Sequence, residues 1–255
     1  MAGDTGQHLG LIRIDQQELD ETVDLYHGLG MRICTHAIGD VAMDMILDAY
    51  EKALIRRPRA SHRHRVEHLG NWMMTPERVE RTRRLGILPI ANPPFLFFLG
   101  DPVVEMLGRR ATEAGFPFRT LANAGFPVSF GSDAPGYYPV DPLRDLGTAV
   151  ARQTLSGQRI TEEERLTLRD ALRSQTINAA YTGFQERTLG SVEVGKLADV
   201  VVLGDDPLTF PPERFHELPV DITIAGGSVV HTGAVRAATG APPAGAHAGC
   251  SCAHR

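Results

Sequence analysis

Three polar side chains stand where short apolar runs end: His36, His68 and Asp133. Residues 31–35, 64–68 and 127–130 read as strands, and each run delivers one of the three at its C-terminal end. In parallel β/α folds that edge is where ligands bind and chemistry occurs. Two imidazoles and a carboxylate offer neutral nitrogen and hard oxygen to a divalent metal and leave room for water, so zinc is the expected ion. Singly, each signal is weak. A histidine after a strand is more often a hydrogen-bonded edge residue than a ligand, and Ser-Asp is a common turn or cap. At equivalent positions, the three together point to a metal site.

The elements that must position them alternate. From residue 10 to about residue 180, apolar runs alternate with helical patterns, the signature of βα units. Asp15 and Glu18 have capping-box spacing, Leu19, Val23 and Tyr26 follow on one helical face, and Gly28 and Gly30 end that helix. A second helix, predicted over 41–54 with Asp40 as its cap, carries Ala42, Met45, Ile46, Ala49 and Ala53 at core spacing. Thr75, Pro76 and Glu77 open a third, which Gly86 stops before a strand at 87–91. A long loop is expected from Asn92 onward. Its aromatics Phe95, Phe97 and Phe98, with Tyr137 and Tyr138, would line a substrate pocket or plug the core. Helices are predicted over 118–123, 142–152 and 161–176, the last opened by a capping box from Thr161 to Glu164. That makes four strands, and an intact barrel needs eight. Beyond residue 185 the texture becomes all-β, with a β-branched run at 197–203 and a strand pair over 222–230 turned at Gly226 and Gly227.

Composition excludes several classes. The chain has 255 residues, a formal net charge of −5, 42% hydrophobic and 22% charged residues, which describes a soluble globular protein. No basic stripe points to nucleic acid. The greasiest run, 85–99, contains three prolines and is too short to span a bilayer, so no membrane partner is expected. Three cysteines cannot build a disulfide framework, and the start lacks a signal pattern; a reducing, cytoplasmic setting is expected. Cys34 is assigned to the strand face opposite His36, as inert packing. Cys250, Cys252 and His254 lie in an Ala/Gly/Pro-rich tail expected to be disordered. Strand alternation puts His64 on the same face as His68, either supporting the site or as a buried hydrogen-bonded residue. No glycine-rich phosphate loop or serine elbow is present in the sequence.

Residues 35–40 (Thr-His-Ala-Ile-Gly-Asp), 63–68 (Arg-His-Arg-Val-Glu-His) and 131–135 (Gly-Ser-Asp-Ala-Pro) resemble, in that order, signature segments of the amidohydrolase superfamily. The closest likeness is to its amidohydrolase family 3 branch, and residues 189–203 resemble the stretch that leads from the barrel into a small β-sandwich. The resemblance runs from about residue 5 to residue 233. It implies an α/β fold: a partial TIM-type (β/α) barrel at 1–185, β-sandwich strands at 186–236 and a tail at 237–255. The strands ending at His36 and His68, the strand 87–91 and the strand ending at Asp133 would be the fifth to eighth. His36 and His68 would be metal ligands, and Asp133 both ligand and general base. The implied reaction is hydrolysis of carbon–nitrogen bonds other than peptide bonds, in a small amide-like substrate, by metal-activated water. The family's His-x-His pair on the first strand has no counterpart here. His62 and His64 have that spacing but fall at the wrong end of their strand. The chain therefore reads as a C-terminal half. The alternative reading is a non-catalytic fragment, or a subunit that needs a separate N-terminal half-barrel chain or a second copy of itself.

Overall fold

The structure is a computed structural model that describes residues 11–72, 74–108, 115–134 and 139–233. Helix α1 (Gln16–Gly28) starts where the Asp15 carboxylate accepts the Glu18 amide at 2.9 Å. Its buried stripe is Leu19, Val23 and His27, at intervals of four; Tyr26 lies largely exposed instead. Helix α2 (Asp40–Arg56) packs against α1 with Met43, Ile46, Leu47, Tyr50 and Ala53 inward, a stripe set partly by residues beside the expected ones. Gly39, at φ 99°, takes the cap position expected of Asp40, a backbone shape that glycine adopts without strain. Helix α3 (Pro76–Leu85) is capped by Thr75, closed by Gly86 in the left-handed region, and tied to α2 by Arg78–Asp44 and Arg81–Glu51 ion pairs.

The segment expected as a loop after residue 92 is helix α4 (Pro93–Leu107). Pro93 and Pro94 occupy its first turn, where the missing N–H groups are needed by no partner, so they start the helix rather than break it. Helix α5 (Phe118–Asn123) falls where the sequence places it. Helix α6 (Pro142–Ala151) follows, and then only a 3-10 turn at Glu162–Glu164. The Thr161 capping box does not form: Thr161 sits at φ 47° and its hydroxyl accepts from Arg152. The next helix, α7 (Leu168–Gln175), is capped by Thr167, and α8 (Ile177–Thr182) follows a break at Thr176.

Four short strands, β1 (Cys34–His36), β2 (Arg65–Glu67), β3 (Leu88–Ala91) and β4 (Ser129–Phe130), form one parallel sheet in chain order. His36 pairs with Glu67, Val66 with Pro89, and Ile90 with Ser129. Parallel neighbours need crossovers, and the helices supply them. A separate antiparallel sheet of β5 (Val200–Leu203), β6 (Val220–Ala225) and β7 (Ser228–Thr232) turns at Gly226 and Gly227, both at positive φ as a tight hairpin requires. Arg63, just ahead of β2, fastens α8 and the segment after it: its Cζ lies 3.7 Å from the Tyr181 ring centroid and it pairs with Glu186 at 2.6 Å. No described helix is long and apolar enough to cross a membrane.

The ends of β2 and β3 meet closely at Gly70. A Cβ there would lie 2.7 Å from the Ala91 Cβ and 3.0 Å from its Cα, and the Gly70 amide donates to the Ile90 carbonyl at 3.2 Å. Gly70→Ala is therefore expected to destabilise the fold by about 1–3 kcal/mol. A urea midpoint equal to that of the wild type would refute the tight contact.

Candidate metal site

His36 ends β1 and is exposed, while His68 lies one residue beyond β2 and is only 3% exposed. Adjacent registers bring their rings to a centroid separation of 4.7 Å, edge to face. His68 has φ 71° and Asp133, beyond β4, has φ 58°. Both residues thus turn sharply into the left-handed region as they leave their strands, a conformation that costs energy outside glycine and that clusters at functional sites. Burial, and next the neighbouring His36, lower the His68 pKa from its ordinary value, while Asp133 and Asn92 oppose them. Asp133 is therefore within electrostatic reach of His68. Among the described residues, no three His, Cys, Asp or Glu side chains converge closely enough to enclose a metal ion.

The ring of His68 is held from two sides. Phe95 stacks on it at 5.1 Å between centroids, 16° from parallel, and Trp72 packs against Phe95. Phe95 is a buried residue of α4, not a loop aromatic; Tyr137 and Tyr138, like residues 237–255, lie outside the described residues. The Nδ1 atom of His68 lies 3.0 Å from Asn92 Oδ1, and Asn71 Nδ2 donates to the same oxygen at 3.1 Å. Sequence reading passed over both asparagines. Asn92 precedes two prolines and Asn71 follows Gly70, so each reads as a turn residue, and only the fold shows them buried.

Of the two roles open to His64, the structure shows the buried hydrogen-bonded one, although its face is not that of His68: its Nε2 meets His27 Nδ1 at 2.8 Å, its Nδ1 accepts the Ile33 amide at 3.0 Å, and its ring stacks on Tyr50. Alternation fails because His68 has left the strand, so the period of two does not reach it. Cys34 is exposed on the same face as His36, two residues away, whereas Thr35 between them meets the Tyr50 hydroxyl at 2.8 Å on the helix side. A spacing of two returns a strand side chain to the same face, which is why Cys34 does not pack inward.

Known proteins resemble this chain over most of its length. Residues 4–231 match the amidohydrolase family. The N-substituted formamide deformylase of Arthrobacter pascens is 33% identical over 222 residues, 86% of this chain and 40% of that protein. Protein LONG AFTER FAR-RED 3 of Arabidopsis thaliana is 35% identical over 202 residues, 78% of this chain and 34% of its own length. An uncharacterised metal-dependent hydrolase from Pyrococcus horikoshii superimposes with a TM-score of 0.69 at 26% identity, covering 81% of this chain and 40% of that one. The chain thus spans well under half the length of these relatives. With a family match over nearly its whole length, the chain belongs to the amidohydrolase family.

Proposed function

We propose that the chain carries the C-terminal part of a metal-dependent hydrolase site acting on carbon–nitrogen bonds other than peptide bonds. The observation that carries this reading is the pairing of the His36 and His68 rings, 4.7 Å apart at the C-terminal ends of adjacent parallel strands. Two imidazoles and a carboxylate are donors that suit a divalent ion, zinc foremost; His36, His68 and Asp133 would each contribute to its shell once further donors draw the site together, since the described residues do not enclose an ion by themselves. Such a cation supplies a Lewis acid and lowers the pKa of a bound water toward about 7. Asp133 would accept the proton of the attacking water and deliver it to the departing nitrogen, which leaves poorly as an anion. Phe95, stacked on His68, would keep bulk water from that ring. The substrate class is a small amide-like molecule, as the name of the formamide deformylase relative suggests.

In this reading β1 to β4 are the fifth to eighth strands of a TIM-type barrel, and β5 to β7 belong to its β-sandwich. The missing donors favour a second reading, in which an N-terminal half-barrel chain or a second copy completes the site. It draws support from β1, which has a free edge among the described strands and exposes Cys34 and His36. Zinc titration of the purified chain tests the assignment. Wild type is expected to bind, and His36→Ala and His68→Ala are each expected to weaken binding by more than the roughly 10–100-fold typical of a supporting partner. Equal binding by all three proteins would sink the site.

A further inference from the structure

Behind His68 the side chains of Asn71 and Asn92 form a small closed network, with Asn71 at 0% and Asn92 at 3% exposure. Each amide is oriented by a backbone group that can play one role only. The Asn92 backbone N–H can only donate, and it does so to Asn71 Oδ1 at 2.8 Å. The other end of the Asn71 amide is then its NH2, which donates to Asn92 Oδ1. The Gly131 carbonyl can only accept, and it takes a proton from Asn92 Nδ2 at 2.8 Å. Asn92 Oδ1 is thereby the end that faces His68, 3.0 Å from Nδ1.

An amide oxygen carries no proton. If Nδ1 were bare, two lone pairs would face each other across that distance in a buried setting where neither finds water. With a proton on Nδ1, the contact is an ordinary hydrogen bond. Asn71 Nδ2 also lies 3.5 Å from Nδ1, too long to compete with the shorter contact. We infer that Asn92, braced by Asn71 and by the Gly131 carbonyl, is a positioning residue that holds neutral His68 as its Nδ1–H tautomer, which leaves the ring's lone pair on Nε2, the atom that would be free for a metal ion. The inference rests on His68 being a ligand. It also ties three strand ends together, because the Asn92 side chain, just beyond β3, meets His68 beyond β2 and the Gly131 carbonyl beyond β4. Partners of this kind fix ring orientation and raise ligand basicity.

The test reads the tautomer directly, in the metal-free chain. Long-range 1H–15N correlation of 15N-histidine-labelled protein at about pH 8, where a neutral ring is expected, should show His68 protonated at Nδ1 in the wild type. Asn92→Ala should lose that preference. Asn92→Asp, whose carboxylate still accepts from Nδ1 although it gives up the donor to the Gly131 carbonyl, should keep it, and amide shifts unchanged away from residues 68–71, 92 and 131 guard against a mere folding defect in either variant. Zinc affinity, measured by competition with a chelator, should fall by roughly 10–100-fold in Asn92→Ala and recover largely in Asn92→Asp. A wild-type His68 protonated at Nε2, or an unchanged tautomer in Asn92→Ala, would overturn the inference. The expected tautomers without zinc uptake by the wild type would uphold the lock and remove metal binding by this chain alone, so the two ideas fail separately.

Discussion

Acidification from pH 7 to pH 5 is expected to cost the chain about 2 kcal/mol through His64 alone. The cause is a buried run of three histidines between α1, α2 and the entry to β2. His27 Nε2 donates to the Arg57 carbonyl at 2.7 Å, so its Nδ1 accepts from His64 Nε2, and His64 Nδ1 accepts the Ile33 amide. His62 Nε2 donates to the Leu85 carbonyl and its Nδ1 accepts the His64 amide. Every ring nitrogen is satisfied in the neutral state. An added proton would displace an N–H donor already in place, and Arg59 nearby adds like charge. Burial foremost pushes His64 down to about 3, and His62 is lowered for the same reason. A histidine with a lowered native pKa leaves the unfolded chain to take up protons first. Its stability is intact above about pH 6.5 and declines as the pH falls toward about 3.

Asp145 works in the opposite sense. It is 8% exposed, and burial, then the charge of Asp141, push its carboxyl up to about 7 against the pull of Arg144. The folded chain binds that proton more readily than the unfolded one, so acidification from pH 7 relieves a buried charge and returns about 2 kcal/mol. The wild-type profile is therefore flattened, and variants separate the two effects. Between pH 7 and 5, His64→Phe should lose about 2 kcal/mol less than the wild type, and Asp145→Asn about 2 kcal/mol more. Urea midpoints at the two pH values decide it; parallel profiles for all three proteins would disprove the account.

Arg152→Ala is expected to cost about 3–5 kcal/mol, the largest single effect foreseen on stability. The guanidinium is fully buried at the end of α6, where Nε donates to the Ile160 carbonyl at 3.3 Å and Nη2 to the Thr161 hydroxyl. Its Cζ lies 4.9 Å from the Phe118 ring centroid. These contacts staple the connection between α6 and the 3-10 turn, and truncation would leave a large cavity beside Phe118. Yet no carboxylate pairs with this cation among the described residues, Nη1 has no hydrogen-bond partner, and burial lowers its pKa to about 9. An apolar side chain of similar length recovers the volume and escapes the cost of burying a charge. Arg152→Met should therefore lose only about 1–2 kcal/mol. If methionine proves as damaging as alanine, the hydrogen bonds rather than the volume hold this connection.

Local chemistry wrote much of the fold into the sequence. Asp15, Thr75 and Gly86 bound their helices as their cap and stop chemistry requires, and the Gly226–Gly227 hairpin follows from two positive φ angles. Where reading failed, a nonlocal partner was the reason. Thr161 has its capping-box neighbour three residues on, but buried Arg152 claims its hydroxyl, and the helix begins instead at Thr167. The apolar run after Asn92 looks like a loop because of its prolines, yet burial of Phe95 and Leu96 against the core makes a helix the better solution.

By itself, the sequence determined the residue types at the strand ends, and with them the chemistry on offer: His36, His68 and Asp133 in the order of an amidohydrolase. Types and order are local properties of the chain, so they survive without coordinates. Only the tertiary structure decided which histidines meet. The parallel register of β1 and β2 sets His36 beside His68, while His64, with the same alternation, turns to the helices and a different role. It also revealed Asn71 and Asn92 as the support of His68, because a hydrogen bond between residues 21 or 24 positions apart depends on where three strands end, and no sequence spacing encodes that.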